Sequence, residues 1–114
     1  MAGISEEKRE QEDLMRFVYE PELLSYMEAK QLKNICVEVA ASNHSDFEVT
    51  EIYIRLVPDR AADDLTGKRH YQCRRTQVGR VLLPPYRLQY DDVVTFGLKK
   101  YWIFRKYTFK GIHL

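Results

Sequence analysis

The chain has 114 residues, 18 basic and 17 acidic, with 45% hydrophobic and 12% aromatic side chains and only five Gly and four Pro. This is room for one domain around one hydrophobic core, too little for separate cofactor and substrate domains, and not the composition of a disordered chain. No apolar run reaches the ~18 residues of a membrane-crossing helix, and the opening residues lack the basic-then-apolar pattern of an export signal. An intracellular protein, cytoplasmic or nuclear and without membrane contact, is the expectation.

The net charge of +1 conceals a strong polarity along the chain. Residues 1–31 carry 4 basic and 8 acidic side chains, residues 32–66 carry 3 and 7, and residues 67–114 carry 11 and 2. Such a distribution points either to a polyanionic partner or to docking of an acidic part onto a basic one.

In chain order, Ser5 followed by Glu6 and Glu7 has the form of a helix start, and Leu14, Phe17 and Val18 at i, i+3, i+4 predict a helix over about Ser5–Tyr19. Pro21 suits the first turn of a second helix through "PELLSYMEAKQL". Residues 1–31 therefore read as an acidic helical arm, kinked or in two pieces. After Lys33 the period changes to two: Ile35, Val37 and Val39 share one face of a strand, and Cys36, Glu38 and Ala40 the other. The turn formers of "SNHSD" reverse the chain into a second strand, "FEVTEIYIRLV". There Phe47 and Val49 fall out of phase with Ile52, Ile54 and Leu56, which points to a bulge near Thr50 or to burial on both faces.

Pro58–Lys68 lacks apolar periodicity and reads as a loop with at most one helical turn. "RHYQCRR" and "QVGRVLL" are short strands, with Gly79 a bulge or point of close approach, and Pro84-Pro85 must end the second. Asp91-Asp92 reads as a turn between "YRLQY" and "VVTFGL". A last strand then runs unbroken through "YWIFRKYTFKGI", with Tyr101, Ile103, Arg105, Tyr107 and Phe109 on one face and Trp102, Phe104, Lys106, Thr108 and Lys110 on the other. The expectation is an α+β domain spanning 1–114. In it, a mostly antiparallel sheet of six to seven strands over residues 32–114, basic in its C-terminal half, curls into a barrel or sandwich.

Tyr90–Tyr107, "YDDVVTFGLKKYWIFRKY", resembles the last two strands of forkhead-associated domains, which carry an acidic turn, then Val-x-Phe-Gly, then an aromatic strand. That family's phosphothreonine-binding pattern does not occur here in order, so the resemblance implies no binding residue.

Specific chemistry is sparse. Cys36, His44, His70 and Cys73 are the available metal ligands, but His70-x-x-Cys73 supplies only half of a zinc site, so no metal and no cofactor is expected. Cys73 and His70 point to opposite faces of a strand, which places them poorly as a catalytic pair. A P-loop glycine pattern is missing around Gly67-Lys68. The two cysteines read as reduced core residues.

The C-terminal half offers more. Lys68, Arg69, Arg74, Arg75, Arg80, Arg87, Lys99, Lys100, Arg105, Lys106 and Lys110 are interleaved with aromatic residues, and cations for phosphate beside flat rings for bases are what a single-stranded nucleic acid needs. A non-enzymatic protein that binds RNA or single-stranded DNA through this basic sheet is the first expectation, with Trp102, Tyr101 and Tyr107 as stacking candidates. The rival is a protein-interaction or assembly module in which the acidic arm docks on a basic sheet of its own chain or of a partner, a homo-oligomer included. An exposed Trp102 favours a binding surface, and a buried one a central strand.

Overall fold

The computed structural model describes residues 15–44 and 47–114, and for 41–44 and 47–50 the backbone path alone. It is an α+β protein built on two mixed sheets of three and four strands. The elements are β1 (Arg16–Tyr19), α1 (Pro21–Lys30), β2 (Asn34–His44), β3 (Phe47–Val57), α2 (Asp59–Lys68), β4 (Gln72–Arg75), β5 (Arg80–Leu83), β6 (Gln89–Tyr101) and β7 (Phe104–His113). The smaller sheet has the order β1-β6-β7, with β1 parallel to β6; the larger has the order β3-β2-β5-β4, with β2 parallel to β5. The single antiparallel sheet expected from the sequence is thus two sheets, and they do not close into a barrel.

Most of the predicted N-terminal helix lies outside the described residues, but its last turn is strand β1. The reason is a period of two that competes with the helical one: Met15, Phe17 and Tyr19 pack against the core while Arg16, Val18 and Glu20 are exposed. Phe17 and Tyr19 both lie against Phe96, at centroid distances of 6.0 and 6.2 Å. The second helix forms as expected, with Pro21 in its first turn. It is no arm, since Leu23 and Met27 are buried in the main core. Its end is a Schellman closure: Gln31 at φ 56° donates to the Glu28 carbonyl and Leu32 to that of Met27.

The β2–β3 hairpin pairs in unbroken register from Asn34↔Val57 to His44↔Phe47, so the bulge predicted near Thr50 is not there. Pro58–Lys68 is not a loop but helix α2. Its buried side chains are Ala62 and Leu65, one turn apart, which is too few apolar positions to show as a period. They cover Cys36, Val57 and Leu82 on one face of the larger sheet. The opposite face, through Ile35, Val37, Val81 and Leu83, shares the main core with Val94, Phe96 and Leu98 of β6. Strands β2 and β5 are therefore covered on both sides. Gly79 is a true point of close approach, because a Cβ there would run into the Lys33 carbonyl.

Strand β5 ends at Leu83, before the two prolines. Asp91-Asp92, expected as a turn, instead lies within β6, where pairing with β7 is irregular between Tyr90 and Thr95. Gly111, at φ 91°, sits opposite that irregularity, where a Cβ would run into the Val93 carbonyl, a backbone path that suits glycine. The forkhead-associated resemblance is met only by the antiparallel pairing of the two strands it covers.

Candidate binding site at the tip of the β6–β7 hairpin

Strands β6 and β7 leave the body together. Leu98 is the last buried residue of β6, at 4% exposure, and from Lys99 to Lys106 every side chain is exposed. The pairing Lys99↔Lys106, Lys100↔Arg105 and Tyr101↔Phe104 leaves Trp102 and Ile103 as a two-residue loop. The predicted last strand is therefore broken where its richest aromatic run lies. From Phe104 onward the predicted faces hold: Tyr107 and Phe109 pack on the core, while Lys106 and Lys110 are exposed. Tyr101 and Ile103 do not share that inner face, because the loop moves Tyr101 opposite Phe104 and puts Ile103 at the apex.

The tip is apolar and open. Exposures are 55% for Tyr101, 97% for Trp102, 78% for Ile103 and 70% for Phe104. Trp102 also has φ 54°, a left-handed conformation at a loop position normally given to glycine or asparagine. For a bulky side chain this costs about 1–2 kcal/mol. Behind the tip stand two rungs of like charge, which facing strands ordinarily avoid. Among the described residues no carboxylate lies within ion-pair distance of Lys99, Lys100, Arg105 or Lys106. Arg105 has an aromatic neighbour instead, its guanidinium 5.1 Å from the centroid of the Tyr26 ring on α1. Tyr26 in turn meets Tyr107 edge-on at 6.3 Å, so Tyr107 is packing and not a free stacking surface.

The other predicted cations do not gather here. Lys110 continues the outward face of β7, opposite Thr95. Lys68 ends α2 and pairs with Asp64 at 3.9 Å, Arg69 follows it, and Arg87 lies between β5 and β6. Arg74 and Arg75 are on β4, on opposite faces of the larger sheet. Arg80 is consumed by the fold: it pairs with Asp63 at 2.7 Å and Asp59 at 3.3 Å, and its Nε donates to the side-chain oxygen of buried Asn34. The eleven cations of the C-terminal half are thus spread over both sheets, the end of α2 and the connecting segments, and of the five on the β6–β7 hairpin only Lys99, Lys100, Arg105 and Lys106 stand directly behind its tip.

A second polar cluster escaped the sequence reading. Glu38 on β2 accepts from the Cys36 thiol at 2.9 Å, from Arg55 at 3.1 Å and from the Tyr71 hydroxyl at 2.8 Å. Burial alone would raise the Glu38 carboxyl, but these three donors hold it below the usual carboxylate range. Burial, and then the bond to Glu38, push the Cys36 thiol up to about 12. A thiol so disfavoured as thiolate is no nucleophile at neutral pH, and the cluster reads as a structural tie between β2, β3 and the start of β4. Both cysteines are free. Each pairs with Leu82 from opposite sides, which sets them two strand spacings, about 9–10 Å, apart and beyond disulfide reach.

No group of three or more metal-ligating side chains occurs among the described residues, and no helix there is long and apolar enough to cross a membrane. Compared with known proteins, the chain matches no family model, no curated protein and no solved structure.

Proposed function

We propose that this protein is a binding module and not an enzyme, and that it engages a phosphate-bearing polyanion through the tip of the β6–β7 hairpin. One observation carries the reading: Trp102, 97% exposed and in a strained conformation, crowns an arm whose next two rungs are Lys99/Lys106 and Lys100/Arg105. Like-charged rungs and an exposed apolar apex both cost the folded state something. Both costs are recovered when a partner supplies negative charge and a place for the rings. What speaks for binding over catalysis is that in the polar cluster that ties β2 and β3 to the start of β4, Cys36, Glu38 and Tyr71 already satisfy one another.

The nucleic-acid expectation narrows under this reading to one element, with Lys68, Arg69, Arg74, Arg75, Arg80 and Arg87 outside it. The test is retention on immobilised heparin and on single-stranded DNA as a function of salt. For a single strand, two phosphate contacts should cost roughly sevenfold in affinity for a fourfold rise in salt, and four contacts roughly 50-fold. Lys99→Glu with Lys106→Glu should abolish retention at low salt, whereas Arg75→Glu, on β4, should change it little. If Arg75→Glu abolishes retention and the hairpin pair does not, the hairpin is the wrong element; if the wild type is not retained at low salt, the reading fails.

A further inference from the structure

We infer that the polyanion is the surface of an anionic lipid bilayer, entered end-on by the hairpin tip; this rests on the reading that the hairpin is the binding element. The first ground is how the charge is distributed around the arm. Residues facing each other across a ladder share a face, so Lys99 and Lys106 project with Tyr101 and Phe104, while Lys100 and Arg105 project from the opposite face. A nucleic-acid strand laid along the ribbon touches one face and reaches two of the four cations. A surface met by the end of the ribbon is reached by all four, which form a collar.

The second ground is order along the arm. The loop and the Tyr101↔Phe104 rung come first, then the Lys100↔Arg105 rung, then Lys99↔Lys106, then buried Leu98 opposite Tyr107. Rungs are about 3.4 Å apart, so the apolar loop and first rung reach roughly 5–7 Å beyond the nearest cations. That matches the 5–10 Å to which interfacial apolar elements sink, and it sets the collar at the level of the lipid phosphates. The third ground is composition. Trp and Tyr favour the membrane–water interface, and Ile103, the second apex residue, has no ring with which to stack on a base but partitions well into acyl chains. The sequence expectation of no membrane contact considered only spanning helices, and an inserted hairpin needs none.

Trp102 is the chain's single tryptophan, so its emission reports on the tip without labelling. The full-length protein is mixed with phosphatidylcholine vesicles, with the same vesicles carrying one-third phosphatidylserine, and, separately, with an oligothymidylate. The expected result is a blue shift with the anionic vesicles alone and quenching by lipids brominated on the acyl chain. Partitioning should weaken about fivefold for each cation removed, hence roughly 30-fold for Lys99→Gln with Lys106→Gln. Ile103→Ser with Phe104→Ser, which keeps the probe, should weaken binding while far-UV circular dichroism stays unchanged. A response to oligothymidylate with none to vesicles overturns the lipid assignment and leaves the polyanion reading standing. Vesicle binding with no change in Trp102 emission overturns it too, since another surface is then in contact. Silence toward both ligands overturns both readings.

Discussion

Trp102 separates what stabilises the fold from what the tip is for, and a pair of substitutions measures the separation. At 97% exposure the indole contributes almost no buried area, so Trp102→Ala should leave stability nearly unchanged, within about 0.5 kcal/mol. At φ 54° the backbone sits where a Cβ is penalised by about 1–2 kcal/mol, a cost that Ala retains and Gly does not. Glycine loses part of that gain, about 0.5–1 kcal/mol, to its larger unfolded-state entropy. Trp102→Gly should therefore be more stable than Trp102→Ala by about 0.5–1 kcal/mol, which for a domain of this size raises Tm by about 4 °C. At an ordinary exposed strand position the order is reversed. Urea and thermal unfolding followed by far-UV circular dichroism give both numbers, since fluorescence is lost with the indole. An alanine variant more stable than the glycine one refutes the left-handed backbone. A loss above about 2 kcal/mol in both shows that the indole is packed against the protein, and the exposed apex goes with it. The expected combination, a tip made more stable and unable to bind, is the mark of strain kept for function.

Phe96→Ala removes a fully buried ring that touches both Phe17 and Tyr19, and chemical denaturation should show a loss of about 3–5 kcal/mol. Because the Glu38 carboxyl is held below its unfolded value, its contribution is fully present above about pH 4.3 and is lost as pH falls through the lower folded value. The stability difference between wild type and Glu38→Gln, by urea unfolding across pH 7 to 3, should therefore shrink on the acid side; a constant difference would show that the carboxylate's charge is not used. Cys73, half-buried, should react with a thiol reagent at neutral pH well before Cys36, which is fully buried and whose thiolate is disfavoured; equal rates by mass spectrometry would contradict the Glu38 cluster.

Where one period dominated, the fold was legible in the sequence. The alternation of Ile35, Val37 and Val39 located β2, the run to Val57 located its partner, and Pro21 and Pro84 marked a helix start and a strand end. Where two periods competed or none was visible, reading failed. Met15, Phe17 and Tyr19 alternate as a strand, yet Leu14, Phe17 and Val18 also space as a helix, and only the pairing with β6 decides between them. Helix α2 needs just Ala62 and Leu65 because the larger sheet presents Cys36, Val57 and Leu82 to receive them, a fact of tertiary structure invisible in eleven residues of local sequence. The division into two sheets was equally out of reach, since it depends on β1 joining β6, more than seventy residues away.

The hairpin tip is the instructive failure. "KKYWIFRK" contains no Gly, Asn, Asp or Pro, so nothing in turn chemistry announces a reversal between Tyr101 and Phe104. Its one signal is symmetry. Read outward from the Trp102–Ile103 junction, each side gives apolar or aromatic, aromatic, cation, cation, and a chain that folds back at that junction pairs each class with itself. Self-pairing of cations is unfavourable within the fold, and a positive φ at Trp102 adds to it. Local preference and global structure agree over most of this chain and part company at these eight residues. A loop of Asn-Gly with opposite charges on the two rungs would make the same hairpin at lower free energy. The sequence here instead gives up stability to hold four exposed apolar side chains beyond two like-charged rungs, a cost that the proposed partner, anionic at its surface and apolar within, would offset.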